Sequence, residues 1–285
     1  MASVALLVAT TTTVQADIVW TTGAPGGTSG GALFFDGSEG GGANSANGIE
    51  FLQTGISSEI QGGDYTVSYW INASNAAVQQ YAVGTTRQSL HLGLNNGEAF
   101  QGHWGADSSG SSADIVSNTW IHQTFTYDSV TDTQLIYVNG VLASPITDLN
   151  VGAGEIAGPN PGPNRAGEEI ILGARSGNTA GPEGARDHLT DTSLDDVAFF
   201  NTVLSATDIA DLAAGDTDAL ALGANAYYDF EDDQFGTTAA VQTGTGATAF
   251  GNGLTAITAN VVPEPSSLAI LLGLGMAGLT RRNRS

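Results

Sequence analysis

The sequence predicts an all-β fold: a two-sheet antiparallel sandwich with one short helix, followed by an apolar C-terminal helix outside it. Three observations carry this. Short runs rich in β-branched and aromatic residues recur from residue 32 onward, separated by Gly-, Asn- and Asp-rich turns. Glycine accounts for 39 of 285 residues, and helix-favouring Lys is absent. Only one stretch, 205–214, carries capping residues at both ends. The glycines show no three-residue period and no repeat of 20–50 residues is evident, which excludes collagen-like, solenoid and propeller folds.

In chain order, the first strand is predicted at 32–35 (ALFF), ended by the turn dipeptide Asp36-Gly37. Strands follow at 48–52 and at 65–71, the latter aromatic and β-branched (YTVSYWI). Runs 89–94 and 99–104 flank Asn95-Asn96-Gly97 and read as a hairpin. Runs 120–127 and 134–138 come next. Asn139-Gly140 then turns the chain into Val141-Leu142, because both turn residues tolerate positive φ. Gly and Pro make 150–165 a surface loop, and strands at 170–172 and 194–200 complete the set. In the helix 205–214, Ser205 is the N-cap, Asp208 the capping-box acid and Gly215 the stop. Residues 226–230 (AYYDF) form a late strand, and the Gly/Thr/Ala-rich stretch to 260 holds a final strand with linker or a disordered tail.

Both ends read as addresses. Residues 3–9 form a short apolar run, and Val14-Gln15-Ala16 before Asp17 fits a signal-peptidase site, so 1–16 is expected to be an export signal. No basic residue precedes the run, so either a longer leader exists or the signal is atypical; the competing reading is a buried first strand. At the other end, Pro263-Glu264-Pro265 precedes a 12-residue apolar run, 268–279, and the basic stop Arg281, Arg282 and Arg284. The prolines hold an extended, accessible strip. The run would rise only about 18 Å as a helix, short of the hydrocarbon core, so it is expected to insert in a membrane transiently. The basic end would stay cytoplasmic, leaving the rest of the chain outside. Residues 261–285 closely resemble the PEP-CTERM sorting signal of Gram-negative bacteria. That resemblance implies processing by an exosortase-type membrane protease and delivery to the cell surface, outer envelope or extracellular matrix.

Seven Arg face 29 acidic residues, and three of those Arg sit in the tail. So negative a surface disfavours nucleic acid and anionic lipid as partners, while attracting divalent cations. The absence of Cys excludes disulfides, thiolate metal sites and Cys nucleophiles. His91, His103, His122 and His188 show no zinc-enzyme spacing.

The segments GGALFFDGS, YTVSYWINAS, WIHQTFTYDSVTDTQLIYVNGVLAS, ILGARSG and SLDDVAFFNTVLSATDIADLAAG, in that order, resemble the LamG-like (concanavalin A-like) jelly-roll domain. The resemblance covers 30–215 best, giving a domain of 17–215, a strand-and-linker region of 216–260 and a sorting segment of 261–285. It implies a jelly roll. An aromatic strand usual at the start of such domains is not evident in 17–30, and 226–230 is expected to replace it beside 32–35.

Related glycosidases carry Glu-x-Asp-x-x-Glu on one strand face, and no such string exists here. Asp195 and Asp196 are adjacent and would face opposite sides of a regular strand. Calcium is the one cofactor the resemblance implies, at Asp36 and Asp195, with Asp196 a weaker third. Trp70 and Trp120 read as core, and Trp104 as an exposed stacking residue for a sugar. The leading expectation is a non-enzymatic surface module that binds extracellular polysaccharide or matrix, or builds the envelope. A polysaccharide-acting glycosidase with a non-standard site is the alternative. Ice binding is a lesser one, because the Thr residues are irregularly placed.

Overall fold

The computed structural model describes residues 18–22, 31–35, 51–53, 63–85, 90–103, 106–148, 170–176, 185–186, 188–230, 238–239 and 247–250. The strands are β1 (Ile18–Thr22), β2 (Gly31–Phe35), β3 (Phe51–Gln53), β4 (Tyr65–Ala73), β5 (Gln80–Thr85), β6 (His91–Asn95) and β7 (Glu98–His103). Next come β8 (Ala106–Gly110), β9 (Ile121–Asp128), β10 (Thr133–Val138), β11 (Val141–Leu142), β12 (Ile146–Asp148) and β13 (Ile170–Leu172). The last are β14 (Arg175–Ser176), β15 (Ala185–Arg186), β16 (Thr192–Phe200), β17 (Ala226–Tyr228), β18 (Thr238–Ala239) and β19 (Ala247–Phe250); α1 (Ala206–Ala214) follows β16.

Two antiparallel sheets face each other. The first runs β1-β2-β16-β4-β9-β10-β11, with β17 also on β16; the second runs β12-β8-β7-β6-β5-β13-β3-β19-β18. The core lies between them, because alternate residues of each central strand point inward. Along β4 these are Tyr65, Val67, Tyr69, Ile71 and Ala73, packed with Phe125 of β9, Leu92 and Leu94 of β6, and Ile170 and Leu172 of β13. Fully burying side chains of this size stabilises by roughly 1.5–3 kcal/mol each. A second cluster roofs the outer face of the first sheet: Ile209 and Leu212 of α1 pack on Ala198, Phe200, Tyr137 and Tyr227.

The turn chemistry is as expected. Asn96-Gly97 (φ 55° and 79°) closes β6 to β7, and Asn139-Gly140 (φ 49° and 77°) closes β10 to β11. Ser205 caps α1 with both hydrogen bonds of the capping box to Asp208, and Gly215 ends it in the left-handed conformation at φ 74°.

Three expectations are corrected. Residues 226–228 do not pair with 31–35. The two edges of β2 are taken by β1 and by the Thr192–Leu194 half of β16, and β17 pairs instead with the Val197–Phe199 half. The place that 226–230 was expected to fill is therefore held by β1, within the stretch that offered no aromatic strand signal. Trp120 is half-buried just before β9 rather than in the core, whereas Trp70 is buried. Asp195 and Asp196 do not face opposite sides, because the ladder between β16 and β4 carries a bulge from Asp195 to Ala198. The expected signal 1–16, the loop 150–165 and the tail 261–285 lie outside the described residues.

Candidate ligand-binding face

The outer face of the second sheet carries what its strands do not spend on the core. Leu92 and Leu94 turn inward on β6, so His91 and Gly93 point away. On β7, Ala99 is inward and Phe100 and Gly102 point away. Tyr81 of β5 joins them. The Tyr81 ring meets His91 edge-on (5.2 Å, 89°) and Phe100 at 5.6 Å and 64°, while His91 stacks on Phe100 at 5.4 Å and 26°. Arg175 opens β14 with its guanidinium 5.1 Å over the Tyr81 ring. His91 Nε2 lies 3.6 Å from Asp107 Oδ1. Gln79 donates to Tyr81 Oη at 2.8 Å.

Two glycines permit this. A Cβ on Gly102 would stand 2.0 Å from His91 Nε2, and one on Gly84 would stand 2.5 Å from the Ala174 carbonyl oxygen. The imidazole and the arginine-bearing segment therefore press directly onto the sheet. The three rings are buried, at 1% to 4% exposure, and the more accessible groups beside them are the Asp107 side chain at 28% and half-buried Arg175. Farther along β7, Ser111 donates to Glu98. Hydrogen bonds from Ser111 and then Ser109 hold the Glu98 carboxyl below its ordinary range. The buried rings thus carry a carboxylate, a guanidinium and an amide around their edge.

The inward groups of the same β7 strand are polar and tie the two sheets. Gln101 Nε2 donates to Tyr65 Oη (2.9 Å) and to the Thr126 carbonyl (3.0 Å). Tyr65 Oη also bonds His103 Nε2, while Gln134 Nε2 lies 3.0 Å from His103 Nδ1. Ser108 completes the chain by donating to Gln134 Oε1 at 2.7 Å. Burial lowers His103 to about 3, so it is neutral at ordinary pH, and burial raises Tyr65 far above the usual phenol range. This network fixes strand register across the core; nothing in the local sequence showed that His103 points inward.

Asp195 and Asp196, two of the residues singled out for calcium, stand on the opposite side of the molecule. Asp195 is register partner to Trp70 and so shares the outer face of the first sheet. The bulge turns Asp196 to φ 48° and brings it onto that face as well, where its N–H donates to Asp195 Oδ1 (2.8 Å) and its carboxylate accepts from Tyr227 Oη. Under α1, Asp196 and Tyr227 border a shallow pocket of about 290 Å3, counting the space open to solvent, with Trp70, His122, Leu212 and Asp218. Trp70 and His122 meet edge to face at 5.1 Å, and burial lowers His122 to about 3. Asp36 lies outside the described residues; its neighbour Phe35 pairs with Thr192, three residues short of Asp195. Calcium takes six to eight oxygens, and among the described residues no group of three or more His, Asp or Glu stands together for a metal. Trp104 also lies outside them, in the sequence between His103, which ends β7, and Ala106, which opens β8.

The profile of the concanavalin A-like lectin/glucanases superfamily matches residues 45–210. The chain belongs to this superfamily. Its PEP-CTERM protein-sorting motif matches residues 261–285, the mark of a secreted, surface-sorted bacterial protein and of exosortase processing in general. No curated protein matches the sequence. Among solved structures, this superfamily member is similar to a Bacteroides ovatus protein provisionally assigned to carbohydrate binding, at 16% identity and a TM-score of 0.52. The match covers 73% of this chain and 58% of that one, so the chain spans little more than half of that relative. It is also similar to domain 4 of an extracellular GH43 arabinanase of Geobacillus stearothermophilus, solved with arabinotriose, at 17% identity and a TM-score of 0.38, covering 69% of this chain and 81% of that one. At its identity the likeness to the Bacteroides ovatus structure shows the fold alone. Among the described residues no helix is long and apolar enough to cross a membrane.

Proposed function

We propose that the protein is a non-enzymatic, surface-sorted module that binds extracellular polysaccharide or matrix polymer across the outer face of its nine-stranded sheet. The observation that carries this reading is the Tyr81–His91–Phe100 base rimmed by Asp107 and Arg175. The rim groups, held in place by the buried rings, would orient a ligand without supplying two carboxylates on either side of one sugar bond, which glycoside hydrolysis needs. The C-terminal motif supports export to the surface of a Gram-negative-type bacterium, with an exosortase-type membrane protease acting near Pro263-Glu264-Pro265.

The test is retention of the full chain on immobilised polysaccharides, with calcium and with chelator, beside the Asp107→Asn variant. Binding that falls about tenfold in the variant is expected, from loss of a charge-assisted contact. The calcium arm also reports on the cation expected at Asp36, Asp195 and Asp196. Release of reducing sugar would overturn the non-enzymatic reading, and thermal hysteresis with no polysaccharide retained would replace it with ice binding.

A further inference from the structure

We infer that the pocket under α1 is a second binding site, one that takes the primary ammonium group of an amino sugar. It lies on the first sheet and stands independently of the face proposed above. The strands build it by alternation. Val67, Tyr69 and Ile71 of β4 turn into the core, so Ser68 and Trp70 turn outward, and His122 of β9 is the register partner of Trp70. Asp196 reaches the same floor through the bulge, and Leu212 of α1 with Thr217 and Asp218 forms the wall. Ser68 and His122 line this pocket although each is only 2% exposed. Neither Ser68 Oγ nor His122 Nε2 has a hydrogen-bond partner among the described residues, and neither atom is sealed from solvent. Polar atoms on side chains set this deep are normally satisfied, so the pocket is where these two find a partner.

The partner they suit is a cation that donates hydrogen bonds. Asp196 and Asp218 bring carboxylates to the pocket, and no Arg is among its lining residues. Asp218 is held in place by accepting from the Ala221 N–H at 2.7 Å. The His122 ring, kept neutral by burial, adds no charge. With its one proton on Nδ1, toward Thr124 Oγ1 at 3.5 Å, Nε2 accepts. Hydroxyl, imidazole and carboxylate acceptors around one space match the three N–H donors of an ammonium group. A bare metal ion fits less well, since among the described residues no three His, Asp or Glu stand together. The shallow space suits an amine one bond from a sugar ring lying across the mouth, whereas a lysine ammonium arrives on a four-carbon stem that needs depth. With 29 acidic residues against seven Arg, the chain draws an amine-bearing polymer toward it, and the pocket gives that polymer a fixed point of attachment.

The test uses the full chain with calcium chelated, at mildly acid pH where a sugar amine is charged. Its probes are immobilised chitosan, a polymer of glucosamine, the same polymer after N-acetylation, and polylysine. Retention by chitosan and loss on N-acetylation is expected. Ser68→Ala and Asp218→Asn should each weaken chitosan binding about fivefold. Ser68→Ala removes no charge, so a general attraction between polycation and acidic chain does not move with it. Asp114→Asn removes one charge from an exposed residue that does not line the pocket, and should leave chitosan binding within about twofold of the parent. Circular dichroism checks folding, and should Ser68→Ala fail to fold, Asp218→Asn against Asp114→Asn decides, since the two lose equal charge. No retention by chitosan, equal retention by its acetylated form, unchanged binding by Ser68→Ala, or equal weakening by the two aspartate variants overturns the inference. Polylysine retained as well as chitosan, with the same dependence on Ser68, overturns the amino-sugar assignment. None of these outcomes touches the binding face of the second sheet, which the Asp107→Asn comparison tests separately.

Discussion

Gly102 stands directly across the β6–β7 ladder from His91, and the side chain it lacks is the space the imidazole fills. A methyl at this position would sit 2.0 Å from Nε2. Gly102→Ala should therefore push His91 off Phe100 and away from Asp107. The expected cost is about 1–3 kcal/mol in urea unfolding, as for overpacked sites, together with loss of polysaccharide binding. The pair Gly102→Ala with His91→Ala should regain most of the stability and none of the binding. Wild-type stability in Gly102→Ala alone would show that the ring is not confined there.

The interior histidines set a pH dependence with a definite sign. His103 and His122 are both lowered from 6.5 to about 3 by burial, so the unfolded chain binds more protons than the folded one between those values. Stability is then fully present above about 6.5 and is lost as pH falls toward 3, at up to roughly 1.4 kcal/mol per pH unit for each histidine. Urea unfolding at pH 7 and pH 5.5 should show the loss. His103→Gln should flatten the slope by about half, because carboxylates titrate mainly below that window.

Tyr227 and Asp196 form a buried hydrogen bond at the bulge of β16. Tyr227→Phe removes the phenol donor from a carboxylate that is 8% exposed, and should cost about 1–3 kcal/mol. The same change in an Asp196→Asn background should cost less. A double-mutant cycle with a coupling below about 0.5 kcal/mol would show that the two side chains act independently.

Two local devices should respond on their own. Ser205→Ala removes the α1 cap and should cost about 1 kcal/mol. Gly140→Ala should cost more than the usual left-handed penalty of about 1 kcal/mol, because its φ is 77° and its new Cβ would lie 2.9 Å from Ala210 Cα. Chemical denaturation of each variant measures both, and Gly97→Ala, with nothing within 4 Å, serves as the strain-only control.

Much of the scaffold was legible because its signals lie in neighbouring residues. Ser205, Asp208 and Gly215 announce α1 at both ends, Asn-Gly announces two hairpins, and the aromatic and β-branched run 65–71 announces β4. The weak strand β8 escaped, since Ala, Asp, Ser and Gly carry little strand preference and are held there by the strands on either side. Of the candidate site, the sequence pointed to Asp195 and Asp196 but not to the bulge that puts them on one face. It showed neither that Tyr81, His91 and Phe100 meet nor that Arg175 comes to lie over them.

The amino-acid sequence by itself determined an all-β chain with its turns, its one capped helix, its acidic surface and its C-terminal sorting motif, because each is written in contiguous residues. Only the tertiary structure decided that β1, not 226–228, lies against β2, and that His91 fits over Gly102. It also decided that Arg175 faces Arg186. These depend on long-range strand register, where a one-residue shift exchanges the two faces of a strand and no local preference can set the choice.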